Sequence, residues 1–74
     1  MAIVNKLDKI VLEKDSKHSE VNCTYSIVDV GDKKYLQIDT YGSKTRKMPG
    51  KKSQSLRFSP EAILQLKEII DSEI

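Results

Sequence analysis

The stretch "SQSLRFSPEAILQLKEII", from Ser53 to Ile70, changes its hydrophobic spacing in the middle, and this change decides the fold class. In its first third, Leu56 and Phe58 alternate with the polar positions Ser53, Ser55 and Arg57. A period of two is typical of a strand with one buried and one exposed face. We therefore predict a strand over Ser53 to Phe58, with Leu56 and Phe58 facing inward.

The remainder of the stretch predicts a helix. Ser59 is a suitable N-cap, Pro60 fits the first helical position, and Glu61 stands where the helix dipole favours a negative charge. The apolar residues that then recur at helical spacing are Ala62, Ile63, Leu66, Ile69 and Ile70. Leu64 lies off this apolar face and Ile74 is the last residue. We expect Leu64, Ile70 and Ile74 to form a dimer contact, although a lone exposed Leu and a frayed terminus explain the pattern equally well.

Two further strands precede this unit. "VNCTYSIVDV" (Val21 to Val30) is rich in β-branched and aromatic residues, and "YLQIDTY" (Tyr35 to Tyr41) alternates apolar and polar positions. The intervening "GDKK" (Gly31 to Lys34) predicts a turn, so the two runs should pair as an antiparallel hairpin. The outward face of the second run carries Tyr35, Gln37, Asp39 and Tyr41, while Leu36 and Ile38 face inward.

The beginning of the chain is less regular. "KLDKIVLEK" (Lys6 to Lys14) predicts a short strand with Ile10 and Leu12 on one face, with one or two helical turns as the alternative. "DSKHSE" after it has the composition of a loop. The chain is therefore predicted to form one α+β domain over residues 1–74, a small antiparallel four-stranded sheet followed by one C-terminal helix packed on one face.

Composition excludes several classes of protein. The 74 residues include one Cys and one His, which make neither a disulfide nor a four-ligand zinc site. No apolar run is long enough for a membrane span, no signal peptide is recognisable, and a lone thiol fits a reducing compartment. We expect a cytoplasmic protein without metal or cofactor and, since no catalytic constellation stands out, not an enzyme. A core this small is marginal, which favours a homodimer.

The charge distribution points to an anionic partner. Thr40 to Ser59 contains six basic residues and no acid, whereas the rest of the chain has seven basic and eleven acidic residues. Lys and Arg at this density neutralise phosphates and gain affinity from counterion release. A sheet face with aromatic residues and a basic rim is a common way to hold single strands. The predicted nucleic-acid-binding residues are Tyr35, Tyr41, Lys44, Arg46, Lys47, Lys51, Lys52 and Arg57.

The segment "YLQIDTYGSKTRKMPGKKSQSLRFSPEAILQLKEII" resembles the core of the positive-cofactor-four family of transcriptional coactivators, which bind single-stranded DNA. The resemblance rests on the strand around Leu36 to Asp39 and on "RKMPGKK", "SLRFSPE" and "LKEII". It implies a four-stranded sheet followed by a helix, dimerisation through the helices, and contacts from Lys47, Lys51 and Lys52 to the nucleic-acid backbone.

Two other interpretations remain open. The basic loop of a small regulator or inhibitor, for example one encoded by a phage, would dock on an acidic protein surface. An accessory domain of a restriction or modification system would instead bring a basic sheet to duplex DNA. The favoured prediction is a single-stranded-DNA-binding protein that acts in transcription, replication or repair.

Overall fold

The computed structural model describes residues 1–43 and 52–74, which form four strands and one helix in the order β1 (Ala2–Val4), β2 (Val21–Val30), β3 (Lys33–Ser43), β4 (Lys52–Phe58) and α1 (Pro60–Glu73). The strands make one sheet in the order β1-β4-β3-β2. The predicted α+β fold, with a four-stranded sheet followed by a C-terminal helix, is confirmed. The sheet is mixed, however, because β1 runs parallel to β4 while the other two pairings are antiparallel.

The hairpin of β2 and β3 forms as predicted, and β2 has the predicted limits. The chain turns at Gly31 and Asp32, and Gly31 takes φ 63°, a conformation that glycine adopts at little cost. β3 is longer than predicted, since it begins at Lys33 and continues through Gly42 to Ser43. Cross-strand partners such as Ile27 with Leu36 therefore lie side by side on one face.

The predicted strand over Lys6 to Lys14 is wrong. Residues 5–20 contain neither helix nor strand, and the first strand is the short β1 upstream of them. The backbone of Leu7 forms its hydrogen bonds with a side chain and not with a neighbouring strand. The Gln65 amide of α1 accepts from the Leu7 N–H at 2.9 Å and donates to the Leu7 carbonyl at 3.2 Å. Ile10 and Leu12, expected on one face of that strand, are both exposed.

The helix begins as the sequence predicts. Ser59 has extended backbone angles and its hydroxyl accepts a hydrogen bond from the Ala62 N–H at 3.2 Å. The Ser59 N–H donates to the Val4 carbonyl at 3.0 Å, which joins the start of α1 to β1. This double use of Ser59, which is nearly fully buried, fixes where the helix leaves the sheet.

The helix contacts β3 and β4 and covers only part of one sheet face. Ile63 and Leu64 line a cavity together with Lys34, which by strand alternation shares a face with Leu36 and Ile38. Among the described hydrophobic residues only Ala62 is buried, at 0% exposure. Leu56, predicted to face inward, remains 42% exposed because it lies beyond the part of the face that α1 covers.

Candidate nucleic-acid interface

The opposite face of β3 and β4 is polar and is the surface predicted to bind nucleic acid. Gln37 lies opposite Arg57, and Asp39 lies opposite Ser55, so these four side chains share one face. Alternation places Tyr35 and Tyr41 of β3 on the same side. We call this set, completed by Lys52, the polar face; its members are Tyr35, Gln37, Asp39, Tyr41, Lys52, Ser55 and Arg57.

A β-bulge brings Lys52 onto the polar face. Thr40 pairs with Gln54 but Tyr41 pairs with Lys52, so Ser53 is an extra residue in β4. In a regular strand without the bulge, alternation from Ser55 would place Lys52 on the helix-covered side. The bulge therefore allows the Lys52 ammonium to reach Asp39, with Nζ 3.3 Å from Oδ2.

Four side chains form a continuous hydrogen-bonded row across the polar face. Arg57 donates from Nε and Nη2 to Gln37 Oε1, at 3.1 and 2.6 Å. Gln37 Nε2 donates in turn to both carboxylate oxygens of Asp39, at 3.0 and 3.2 Å. With Lys52 on the far side of Asp39, the row joins two cations through one amide and one carboxylate. The guanidinium of Arg57 is held along one edge, which leaves its Nη1 edge without a partner among the described residues.

Asp39 is the unexpected member of this row. The sequence places it on an exposed face, yet it is only 4% exposed. Hydrogen bonds from Ser55 and Gln37, and then the Lys52 ammonium, lower the pKa of the Asp39 carboxyl in spite of its burial. Asp39 therefore stays ionised at neutral pH, with its charge paired to the Lys52 ammonium and stabilised by the Ser55 and Gln37 donors.

The two predicted stacking residues occupy different settings. The Tyr41 hydroxyl shares a hydrogen bond of 3.0 Å with the Thr24 hydroxyl of β2, so its side chain reaches across from β3 toward the sheet edge. Tyr35 is half-buried and lies opposite Val28 at the other end of β3. The rings therefore lie at the two ends of the row formed by Arg57, Gln37 and Asp39, not beside each other.

An open groove of about 300 Å³ runs along the polar face between β1 and the hydrogen-bonded row. Ala2 and Ile3 line one side, while Gln37, Ser55 and Arg57 line the other. Ile3 is exposed and lies opposite Arg57. The groove thus combines an apolar wall with a fixed guanidinium.

The predicted binding residues divide into two groups. Tyr35, Tyr41, Lys52 and Arg57 are brought together on the polar face. The second group lies outside the described residues and consists of Lys44, Arg46, Lys47 and Lys51. In the sequence, this group lies between β3 and β4, next to the strand ends where Tyr41 pairs with Lys52. The predicted dimer residues Leu64, Ile70 and Ile74 are all exposed.

Sequence reasoning placed Gln37 and Asp39 on the correct face but missed their role in holding Arg57 and Lys52. This role could have been predicted from two alternating patterns, Gln-x-Asp in β3 and Ser-x-Arg in β4. Antiparallel pairing places the polar residues of these two patterns side by side. The bulge at Ser53 had no comparable signal, because no glycine marks it.

Within residues 1–43 and 52–74, no group of three or more His, Cys, Asp or Glu side chains is arranged to hold a metal ion. In the same part of the chain, no helix combines the length and hydropathy needed to cross a bilayer. Comparison of the chain with protein-family models, with curated proteins and with solved structures finds no significant match.

Proposed function

We propose that this protein binds nucleic acid, with a preference for single-stranded DNA, through the polar face of β3 and β4. The observation that carries the proposal is the position of Tyr35, Tyr41, Lys52 and Arg57 on one open sheet face. In the sequence, a segment rich in Lys and Arg connects the ends of β3 and β4 that adjoin this face. Bases stack on aromatic rings and cations follow the phosphates in such an arrangement. The protein acts in transcription or another DNA transaction in the cytoplasm, a location that the free Cys23 thiol supports.

The hydrogen-bonded row gives this proposal a physical basis beyond charge. Arg57 enters a contact with its rotamer already restricted by Gln37, so less conformational entropy is lost on binding. The free edge of its guanidinium presents parallel donors suited to a phosphate or to the edge of a base. Asp39, which would repel a polyanion if it were exposed, is buried and surrounded by donors.

The proposal is tested with two separate variants, each of which removes one positive charge from a different face of the sheet. Arg57→Gln removes a cation from the polar face, and Lys34→Gln removes one from the helix-covered face. Binding of a labelled oligothymidine, followed by fluorescence anisotropy at several salt concentrations, should weaken in Arg57→Gln, with the salt slope reduced by about one. Lys34→Gln should behave like the wild type.

Tyr41→Ala supplies the second arm of this test, because loss of one stacking ring costs about 1–3 kcal/mol of binding free energy. Equal weakening by Arg57→Gln and Lys34→Gln would show nonspecific attraction and contradict the assignment to the polar face. Absence of oligonucleotide binding by the folded wild type, together with a stoichiometric protein partner that survives nuclease treatment of a lysate, would replace the proposal with the protein-docking alternative.

A further inference from the structure

The chain exposes far more surface than a compact monomer of its size. Its accessible area is 6773 Å², whereas a folded monomer of 8.4 kDa is expected to expose about 4,600 Å². The surplus is roughly 2,000 Å², to which the almost wholly exposed residues 5–20 contribute, and a specific interface needs about 800 Å² from each partner. No large side chain is fully buried in the part of the chain that the structure describes.

Part of the exposed apolar surface lies on β2 and beside it. Tyr25 is 77% exposed and Ile27 is 56% exposed, and both face the side of the sheet on which α1 packs. Leu56 continues this surface two strands away, since Tyr25, Ile38 and Leu56 occupy one cross-strand row. The helix stops short of this region, which leaves an apolar sheet surface ending at the β2 edge.

The β2 edge has few of the features that keep sheet edges from pairing: Asp29 is its one charged residue, and a register irregularity lies at its start, between Val21 and Cys23. β1 and β2 are the two outer strands, but β1 has 3 residues whereas β2 has 10. β2 contains no Lys, Arg or Pro, the residues that usually protect an edge. Its outer backbone groups and its exposed apolar side chains therefore belong to one continuous patch.

We propose that a second copy of this chain pairs with this patch, β2 against β2 in antiparallel orientation, to give a sheet of eight strands. A two-fold axis perpendicular to the sheet makes the contact self-complementary and closed, as in most homodimers. Tyr25 and Ile27 of each copy then lie beside those of the other. The same axis keeps both polar faces on one side, where they form a single surface twice as long.

Charge substitutions separate this dimer from one formed through the helices. Tyr25→Lys changes a side chain that is mostly exposed within one chain, so it should leave the fold intact and raise the dimer Kd by about tenfold or more. Leu64→Lys, on the outer face of α1, is the matched control and should leave the Kd unchanged. The Kd is measured by sedimentation over a dilution series, and circular dichroism confirms that each variant is folded.

Cysteine cross-linking locates the two-fold axis. In a Cys23→Ser background, single cysteines at Tyr25, Ser26 and Ile27 are oxidised in turn, because antiparallel pairing brings one position of β2 opposite its own counterpart at a distance that a disulfide can span. One of these positions should give a covalent dimer in much higher yield than the others. A wild-type chain that stays monomeric at all concentrations, or a dimer disrupted by Leu64→Lys and not by Tyr25→Lys, would overturn the proposal.

Discussion

Asp39 is the residue on which the arrangement of the polar face depends. It receives hydrogen bonds from Gln37 and pairs with Lys52, so it fixes Arg57 indirectly through the Gln37 amide. A carboxylate with fewer donors at this depth would be destabilising. The sequence alone gave no reason to single out Asp39 from the other acidic residues of the hairpin.

The lowered pKa of Asp39 predicts a pH dependence of stability. The pKa of the folded state lies below the ordinary value of about 4, so the unfolded chain takes up the proton first as the pH falls. The stabilisation is therefore complete above about pH 4 and is lost progressively below it. Thermal unfolding should show the Tm of the wild type falling steeply in acid.

Asp39→Asn is the control for this pH dependence. It should unfold at a lower temperature than the wild type at neutral pH, yet lose less of its Tm in acid. The pKa of Glu61 is also lowered, mainly by its own backbone N–H and then by Ser59. Protonation of Glu61 therefore lowers the Tm in acid by the same amount in the wild type and in Asp39→Asn. Parallel Tm curves for wild type and Asp39→Asn would show that Asp39 does not carry the effect.

At the scale of elements, the start of α1 is set by one side chain. Ser59→Ala removes the acceptor for the Ala62 N–H, which should lower the free energy of unfolding by about 0.5–2 kcal/mol. Ser72 is the matched control, since its exposed hydroxyl donates to the Glu68 carbonyl near the other end of the helix. Urea unfolding of both variants measures the difference, and equal losses would contradict the capping role.

The segment of residues 5–20 contacts α1 through hydrogen bonds at Leu7 and an ion pair at Lys9. Gln65 provides both hydrogen bonds to Leu7, and the ion pair of Lys9 with Glu73 is exposed, so it contributes little. Gln65→Ala should therefore increase hydrogen exchange at the Leu7 amide, whereas Lys9→Ala should leave it nearly unchanged. Protection of Leu7 that persists in Gln65→Ala would mean that other contacts hold the segment.

Local patterns predicted the elements well where local physics determines them. Val21 to Val30 and the helix from Pro60 follow from alternation, helical spacing and capping, which depend on neighbouring residues. The short strand β1 and the bulge at Ser53 depend on partners distant in the chain, so no local pattern predicts them. In the candidate interface, the shared face was predicted but the row from Arg57 to Lys52 was not.

At the scale of the whole molecule, the chain separates its surfaces by chemistry. One side of the sheet carries an apolar region that the helix only partly covers, and the other carries the polar face. The basic residues concentrate in Thr40 to Ser59, while the remainder of the chain is net acidic. This charge asymmetry along the sequence predicts that a nucleic acid is attracted to the part of the chain from Thr40 to Ser59.

The most direct test of this account is the affinity of the protein for a labelled oligothymidine and for a duplex of the same length, at about 50 and 200 mM salt. Fluorescence anisotropy should show tight binding to the single strand, weaker binding to the duplex, and a steep loss of affinity at the higher salt concentration. Equal affinity for both forms would contradict stacking on the polar face. Absence of binding to either by the folded protein would contradict nucleic-acid binding itself.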